Sequence, residues 1–261
     1  ERGVKHVVVA HVDPFPEVSG RGIARLREAG IRVDVGVREE EARWTNRRFL
    51  TSVERQRPYI ILKWARSTDG FLDRHPRGER GVQRISSPAT DVLVHRWRSE
   101  EQAILVGSRT VVNDDPQLTV RLVEGRSPLR VVLDRNNAAP AGSKVFDMSA
   151  PTLLFTVAQR PDVEAEQVMI AASENVLDRL VEELNARSVR SVLVEGGAEL
   201  LRHFLQRGLW DEARVITGEV VFGAGTKAPS LGLAPLRTER SGTDSIQYFT
   251  NTNAPDPTWS W

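Results

Sequence analysis

"SVLVEGGAELLRHFL", Ser191 to Leu205, decides the reading of the fold. Ser191-Val192-Leu193-Val194 is a short apolar run of strand character, and it stops at an acid, Glu195. Gly196 and Gly197 follow, and Leu200, Leu201, Phe204 and Leu205 then recur at helical spacing. A buried strand, a glycine turn and an amphipathic helix in immediate succession form part of a strand–helix alternation. Glycine lets the backbone turn sharply and approach a ligand. The first N–H groups of a helix suit a phosphate. Gly196 to Glu199 therefore reads either as a cradle for a cofactor diphosphate or as a tight turn with an exposed glutamate.

The same alternation extends outward. "PYIILKWA" (58–65) is a nearly continuous apolar strand, as expected at the centre of a sheet covered on both faces. "SSPATDVLVHRWRSE" (86–100) starts a helix with Ser87 as cap and Pro88 at the first helical position. Ala89, Val92, Leu93 and Trp97 are expected to line its buried face. "QAILVG", "LRVVLD" and "PTLLFT" read as strands, "SRTVVNDDP" as a short helix and turn, and Val176 to Ala186 as an amphipathic helix. "DEARVITGEVVFG" and "SIQYFT" close the sheet. Before Pro58, "HVVVAH", a helix around Gly22 to Ala29, "IRVDVGV" and a mostly polar helix around Glu39 to Arg55 make a smaller α/β segment. The last residues, "NTNAPDPTWSW", read as irregular. The fold class is α/β with a mostly parallel sheet flanked by helices.

Composition excludes several classes of function. The 261 residues carry 36 basic and 35 acidic side chains, a net charge of +1, which argues against a polyanion as main partner. No apolar run approaches the roughly 20 residues of a membrane helix, and no signal peptide is evident, so a cytoplasmic location is expected. Cysteine is absent, which removes disulfides, a thiol nucleophile and cysteine-ligated zinc. The five histidines show no metal-site spacing. No metal site is expected.

Ligands in α/β sheets gather beyond the carboxyl ends of strands, and four stretches meet that condition. Besides Gly196 to Glu199, Lys63 interrupts an apolar strand and must either contact a ligand or reach past an edge to water. In "GSRTVVNDDPQLTVR" (107–121), Thr110 and Asp114 fall one helical turn apart, as ligand contacts or as a plain capped turn. Arg98 and Arg121 suit phosphate through paired donors, although arginine is abundant in this chain.

Taken together, "PYIILKWARSTDG", "ISSPATDVLVHRWRSEEQAILVGSRTVVNDDPQLTVR", "PLRVVLD" and "VLVEGGAELL" resemble the reductase domain of the bifunctional riboflavin-biosynthesis deaminase/reductase. The resemblance implies a dihydrofolate-reductase-like fold. It also implies NADPH-dependent reduction of 5-amino-6-(5-phosphoribosylamino)uracil, with hydride delivered to the ribose C1′. It assigns cofactor contacts to Thr110, Asp114 and the run Gly197, Ala198, Glu199, Leu200, Leu201, Arg202 and His203. It assigns substrate contacts to Arg98, Leu118, Arg121, Glu195 and Lys63, with Glu195 and Lys63 as the catalytic pair. Arg135, after "VVLD", is a plausible partner for the cofactor's 2′-phosphate. One stretch departs from the family pattern: Val82 and Arg84 stand where a serine and a tryptophan are typical. Residues 1–56 resemble the closing part of the family's deaminase domain without its zinc motifs, and 57–261 form the reductase domain. The chain is therefore expected to hold no zinc, to take a small phosphorylated pyrimidine and neither nucleic acid nor membrane, and to self-associate. The alternatives are a same-fold reductase of a related ribosylamine or pteridine, and a catalytically silent nucleotide-binding partner.

Overall fold

The computed structural model describes residues 3–171 and 173–251. The tail expected to be irregular lies, after Asn251, outside the described residues. An N-terminal segment runs β1 (His6–Val9), α1 (Arg21–Glu28), β2 (Arg32–Val35), α2 (Glu39–Thr45) and α3 (Arg47–Arg55). The larger unit follows as β3 (Tyr59–Arg66), α4 (Pro88–Glu100), β4 (Ala103–Gly107), α5 (Ser108–Asp114), β5 (Leu129–Asp134), β6 (Thr152–Thr156) and β7 (Glu166–Met169). It continues through α6 (Val176–Ala186), β8 (Ser191–Val194), α7 (Ala198–Gln206), β9 (Glu212–Thr217), β10 (Arg237–Ser241) and β11 (Asp244–Thr250).

Nine strands form one sheet in the order β10-β11-β9-β3-β8-β4-β5-β6-β7. From β9 to β7 every pair is parallel, and β11 and β10 add antiparallel strands at one side. β3 is interior, as its apolar run required, and alternation splits it between two cores. Ile60 and Leu62 pack with Leu180, Leu184, Leu201 and Phe204 of α6 and α7. Tyr59 and Ile61 pack with Val94 and Trp97 of α4 and with Leu193. Lys63 has the parity of Tyr59 and Ile61, and Glu195 has that of Leu193. The ladder pairs Ile61 with Leu193 and Leu62 with Val194. The two charged residues therefore emerge side by side on the α4 face, just beyond the last apolar pair.

Several expectations change. The helix expected over 39–55 is two, broken at Asn46, a residue whose short side chain competes for backbone hydrogen bonds. The buried face of α4 is Thr90, Val94, His95 and Trp97, while Ala89 and Val92 are exposed. Trp97 anchors this rotation by packing edge-on to Tyr248 of β11, with ring centroids 6.1 Å apart. The strand expected to run through "EVVFG" stops at Thr217, because Gly218 passes so close to Ile85 that a Cβ would stand 2.1 Å from its carbonyl oxygen. Strands β7 and β10 (EQVM, RTERS) gave little apolar signal. They sit at the two sheet edges, where charge discourages further pairing.

The N-terminal segment forms its own two-stranded parallel sheet, β1 with β2. Its helix α3 and the residues just after it are fastened to the larger unit by arginines. Arg48 is ion-paired to the buried Glu101, Arg47 approaches Glu212 at 3.6 Å, and Arg57 reaches Asp211 at 2.6 Å.

Candidate active site

The carboxyl ends of the parallel strands open into one cleft of 1120 Å³. β3 contributes Lys63, β4 leads through Gly107 into α5 with Thr110 and Asp114, β5 leads to Arg135, and β8 leads to Glu195. This is where a parallel sheet exposes strand ends and helix starts together.

Glu195 is the electrostatic centre. Arg98 donates to it with two nitrogens, Nε to Oε1 at 2.8 Å and Nη2 to Oε2 at 2.8 Å. Lys63 Nζ donates to Oε2 at 3.4 Å. Burial pushes the carboxyl up, but the Arg98 and Lys63 cations outweigh it and hold Glu195 at about 2. It is a permanent carboxylate at neutral pH. Both cations thus hold Glu195 in its carboxylate form. The Arg98 fork is paired with Glu195, so Arg98 orients the carboxylate from the cleft wall.

Arg121 lies on the same side of the cleft. Its Nη1 donates to Thr119 Oγ1 at 2.7 Å, and its backbone N–H donates to His95 Nδ1 at 2.9 Å. Lys63, Arg98 and Arg121 face Glu195 here, and the one further carboxylate, Asp91, is paired with Arg84, so this end carries a positive excess suited to an anion. Leu118 lines the same wall, 2% exposed, with a left-handed backbone at φ 59. That conformation is costly for a branched residue and marks a locally forced geometry.

At the other end, the turn into α7 is tight for a physical reason. A Cβ on Gly196 would stand 2.6 Å from Leu200 Cδ2, and one on Gly197 would touch Thr110 Oγ1 at 3.5 Å. The glycines leave the start of α7 open beside Thr110, and the N–H groups of the first helical turn have no intrahelical acceptors. Gly197, Ala198, Glu199, Leu200 and His203 line the cleft. Leu201 and Arg202 do not: Leu201 is fully buried under the sheet, and Arg202 faces solvent. Consecutive side chains of a helix cannot all face one cleft at 3.6 residues per turn, so these two point elsewhere. Arg135 lines the cleft at the end of β5.

Asp114 also lines the cleft, but Arg77 is ion-paired to it. Arg77 donates as well to the carbonyls of Gly81 (2.6 Å) and Asn113 (3.3 Å), pinning the 77–81 loop to α5. Arg84 is paired to Asp91 at 2.8 Å and is mostly exposed, and Val82 is 68% exposed. Arg84 is thus a tether from the loop to α4. The sequence reading missed Arg77 and His95. His95 was findable from its place one turn before Arg98, whereas Arg77 gives no local signal.

The glycine cradle, the open helix start, Thr110 and Arg135 fit a dinucleotide with a diphosphate and an anionic ribose. No group of acids and histidines able to hold a metal occurs among the described residues, and no helix among them is long and apolar enough to cross a membrane.

The family model for the RibD C-terminal domain matches residues 58–249. The riboflavin biosynthesis protein RibD of Aquifex aeolicus is 36% identical over 263 residues, covering 95% of this chain and 73% of that protein. RibD of Chlamydia pneumoniae is 38% identical over 244 residues, covering 88% of this chain and 64% of that protein. The crystal structure of a diaminohydroxyphosphoribosylaminopyrimidine deaminase/5-amino-6-(5-phosphoribosylamino)uracil reductase from Thermotoga maritima superimposes with a TM-score of 0.81 at 32% identity, covering 95% of this chain and 72% of the other. Acinetobacter baumannii RibD gives 0.81 at 30% identity, covering 96% and 74%.

Proposed function

The chain belongs to the RibD C-terminal domain family, and from that membership and the cleft we propose that it reduces 5-amino-6-(5-phosphoribosylamino)uracil to the ribitylamino product with NADPH. The observation that carries the reading is a single cleft that joins two fittings. One is a cradle built on Gly196, Gly197 and α7. The other is an anion-seeking end built on Lys63, Arg98, Arg121 and Glu195.

Reduction requires the ribosylamine ring to open to a C1′=N imine. A hydride then adds to C1′ and a proton to the nitrogen. When bound, NADPH supplies the hydride. Thr110, Arg135 and the first turn of α7 hold the cofactor. Glu195, kept anionic, accepts hydrogen bonds from the sugar hydroxyls and stabilises positive charge developing at the imine. Lys63, paired to Glu195, is the group that donates to the sugar oxygen as the ring opens. Arg121 binds the phosphate, and Arg98 orients Glu195. Leu118 shapes the wall against which the substrate lies.

The chain, incubated with the substrate and NADPH, is expected to consume NADPH in equal amount to the ribitylamino product formed. NADPH binding without turnover would replace this reading with the silent partner. The segment 1–56 is read as the closing part of a deaminase-like domain and 57–261 as the reductase domain.

A further inference from the structure

One turn before Arg98, α4 presents a second polar residue to the cleft. His95 is 6% exposed and lines the cleft wall. Its Nδ1 lies 2.9 Å from the backbone nitrogen of Arg121. A backbone N–H can only donate, so Nδ1 is the acceptor, and a neutral ring then carries its proton on Nε2. That hydrogen bond thus fixes both the tautomer and the ring orientation. Among the described residues, none of the His95 hydrogen bonds uses Nε2, and Nε2 is not one of their sealed, partnerless polar atoms. Nε2 thus keeps accessible surface on a residue that lines the cleft.

The charged groups around the ring are Arg98, Arg121, Glu195 and Asp91. Burial, with the Arg98 and Arg121 cations, holds the imidazole at about 4 against the opposing pull of Glu195 and Asp91. At neutral pH the ring is an uncharged donor beside two cations. A third cation here would repel Arg98 and Arg121 whenever the cleft lacks an anion, and a neutral donor avoids that cost. With Arg98 committed to Glu195, Arg121 also needs a second donor to hold an acceptor-only group such as a phosphate.

We propose that His95 is a substrate-binding residue whose Nε2–H donates to a phosphate oxygen of the substrate, while its Nδ1 holds the Arg121 backbone in the position from which Arg121 contacts the same phosphate. This assignment rests on the reading of the cleft as the site of a phosphorylated substrate.

Two substitutions separate the ring's two roles. His95→Asn offers an amide oxygen where Nδ1 stood and keeps the Arg121 N–H satisfied, but cannot reach the Nε2 position. His95→Gln reaches that position with an N–H and gives up the Nδ1 acceptor. Steady-state kinetics with the phosphorylated substrate and its dephosphorylated counterpart, together with NADPH titration, form the test. His95→Asn is expected to raise KM for the phosphorylated substrate about tenfold, the loss of one hydrogen bond to a charged group. It should leave kcat within about twofold, in keeping with lost ground-state binding, and leave NADPH affinity and the KM of the dephosphorylated compound unchanged. His95→Gln should recover part of the KM. An unchanged KM in His95→Asn, an equal loss on both substrates, a weakened NADPH affinity, or no recovery in His95→Gln overturns the assignment. On the unaltered protein, NMR of isotope-labelled histidine is expected to show Nε2 protonated, Nδ1 not, and an Nε2 shift on addition of inorganic phosphate. The opposite tautomer, or no shift, also overturns it. Arg121→Ala distinguishes the two levels: if KM for the phosphorylated substrate does not rise there, the reading of the cleft fails. If it rises in Arg121→Ala and not in His95→Asn, only the His95 assignment fails.

Discussion

Arg98 and Lys63 close on Glu195 from two sides, and this sets what the carboxylate can do. Replacing Glu195 by Gln keeps the shape and leaves two partly buried cations without their counter-charge. We expect kcat to fall at least about 10²-fold, the scale of a lost preorganised electrostatic group. Thermal unfolding should also shift down, since an unpaired buried charge is costly. The acid limb carries a sign. The folded Glu195 carboxyl, at about 2, lies below the ordinary value of roughly 4.3, so its stabilisation is present above the ordinary value and is lost as pH falls toward 2. Stability curves measured across that window should differ between the native chain and Glu195→Gln. A kcat profile with an acid limb traceable to Glu195 above about pH 4 would contradict the assignment. At Arg135 the outcome concerns cofactor choice. Its position at the end of β5, in the cleft wall, suits a guanidinium facing a 2′-phosphate. The native chain should bind NADPH more tightly than NADH, and Arg135→Ala should narrow the ratio. Equal affinities in the native chain would remove this role.

Elements explain both what the sequence disclosed and what it withheld. The apolar run of β3 and the strand–glycine–helix succession at Val194 to Leu200 were legible, because burial on both sheet faces and a turn without side chains each leave a local mark. The cleft's two ends were legible for the same reason, since they sit where apolar runs stop. What was not legible depends on distance along the chain. β8 inserts between β3 and β4, and nothing in either stretch names its neighbour. That Arg98 is paired with Glu195 could not be read, because the partner stands on a different element. Trp97 is buried, as its spacing implied, but the turn of α4 that buries Val94 and exposes Ala89 and Val92 follows from Trp97 packing on Tyr248, far off in sequence. Gly218 offers an element-scale test. A Cβ there would meet the Ile85 carbonyl oxygen at 2.1 Å, and Ile85 lines the cleft. The obstacle is backbone and cannot rotate away. Gly218→Ala should cost about 1–3 kcal/mol of stability, read by denaturant unfolding, and raise the substrate KM as the 82–86 stretch is pushed out. Native stability and KM together in Gly218→Ala would show that the loop accommodates the methyl.

At the scale of the whole molecule, the N-terminal segment and the nine-stranded unit meet through charge as well as apolar packing. Glu101, 4% exposed, stands at the end of α4 between Arg48 of α3 and Arg214 of β9. Glu212 shares Arg214 at 2.6 Å and approaches Arg47 at 3.6 Å. Burial pushes the Glu212 carboxyl up, and Arg214, Arg47 and Arg48 hold it at about 2. Arg47 also stacks over Trp44, 4.2 Å from its ring centroid, so one arginine fastens α2, α3 and β9 together. Opposite charges alternate across this seam, and each acid has more than one cation. Removing one cation therefore strands a buried carboxylate whose remaining partner is already shared. Arg48→Met keeps the side chain's apolar stem and volume but deletes the charge, leaving Glu101 with Arg214 at 3.8 Å. Breaking a buried pair from one side costs about 3 kcal/mol or more, so a clear fall in Tm is expected. The double substitution Arg48→Met with Glu101→Leu removes both charges, and a dry apolar pair of similar volume should recover most of the loss. The cleft lies at the opposite ends of the strands, so KM for NADPH should be the same in all three chains below their melting temperatures. A single substitution that leaves Tm unchanged would mean that apolar packing alone joins the segment to the sheet. Failure of the double substitution to recover stability would mean that Glu101 is held by Arg214 and that Arg48 acts elsewhere.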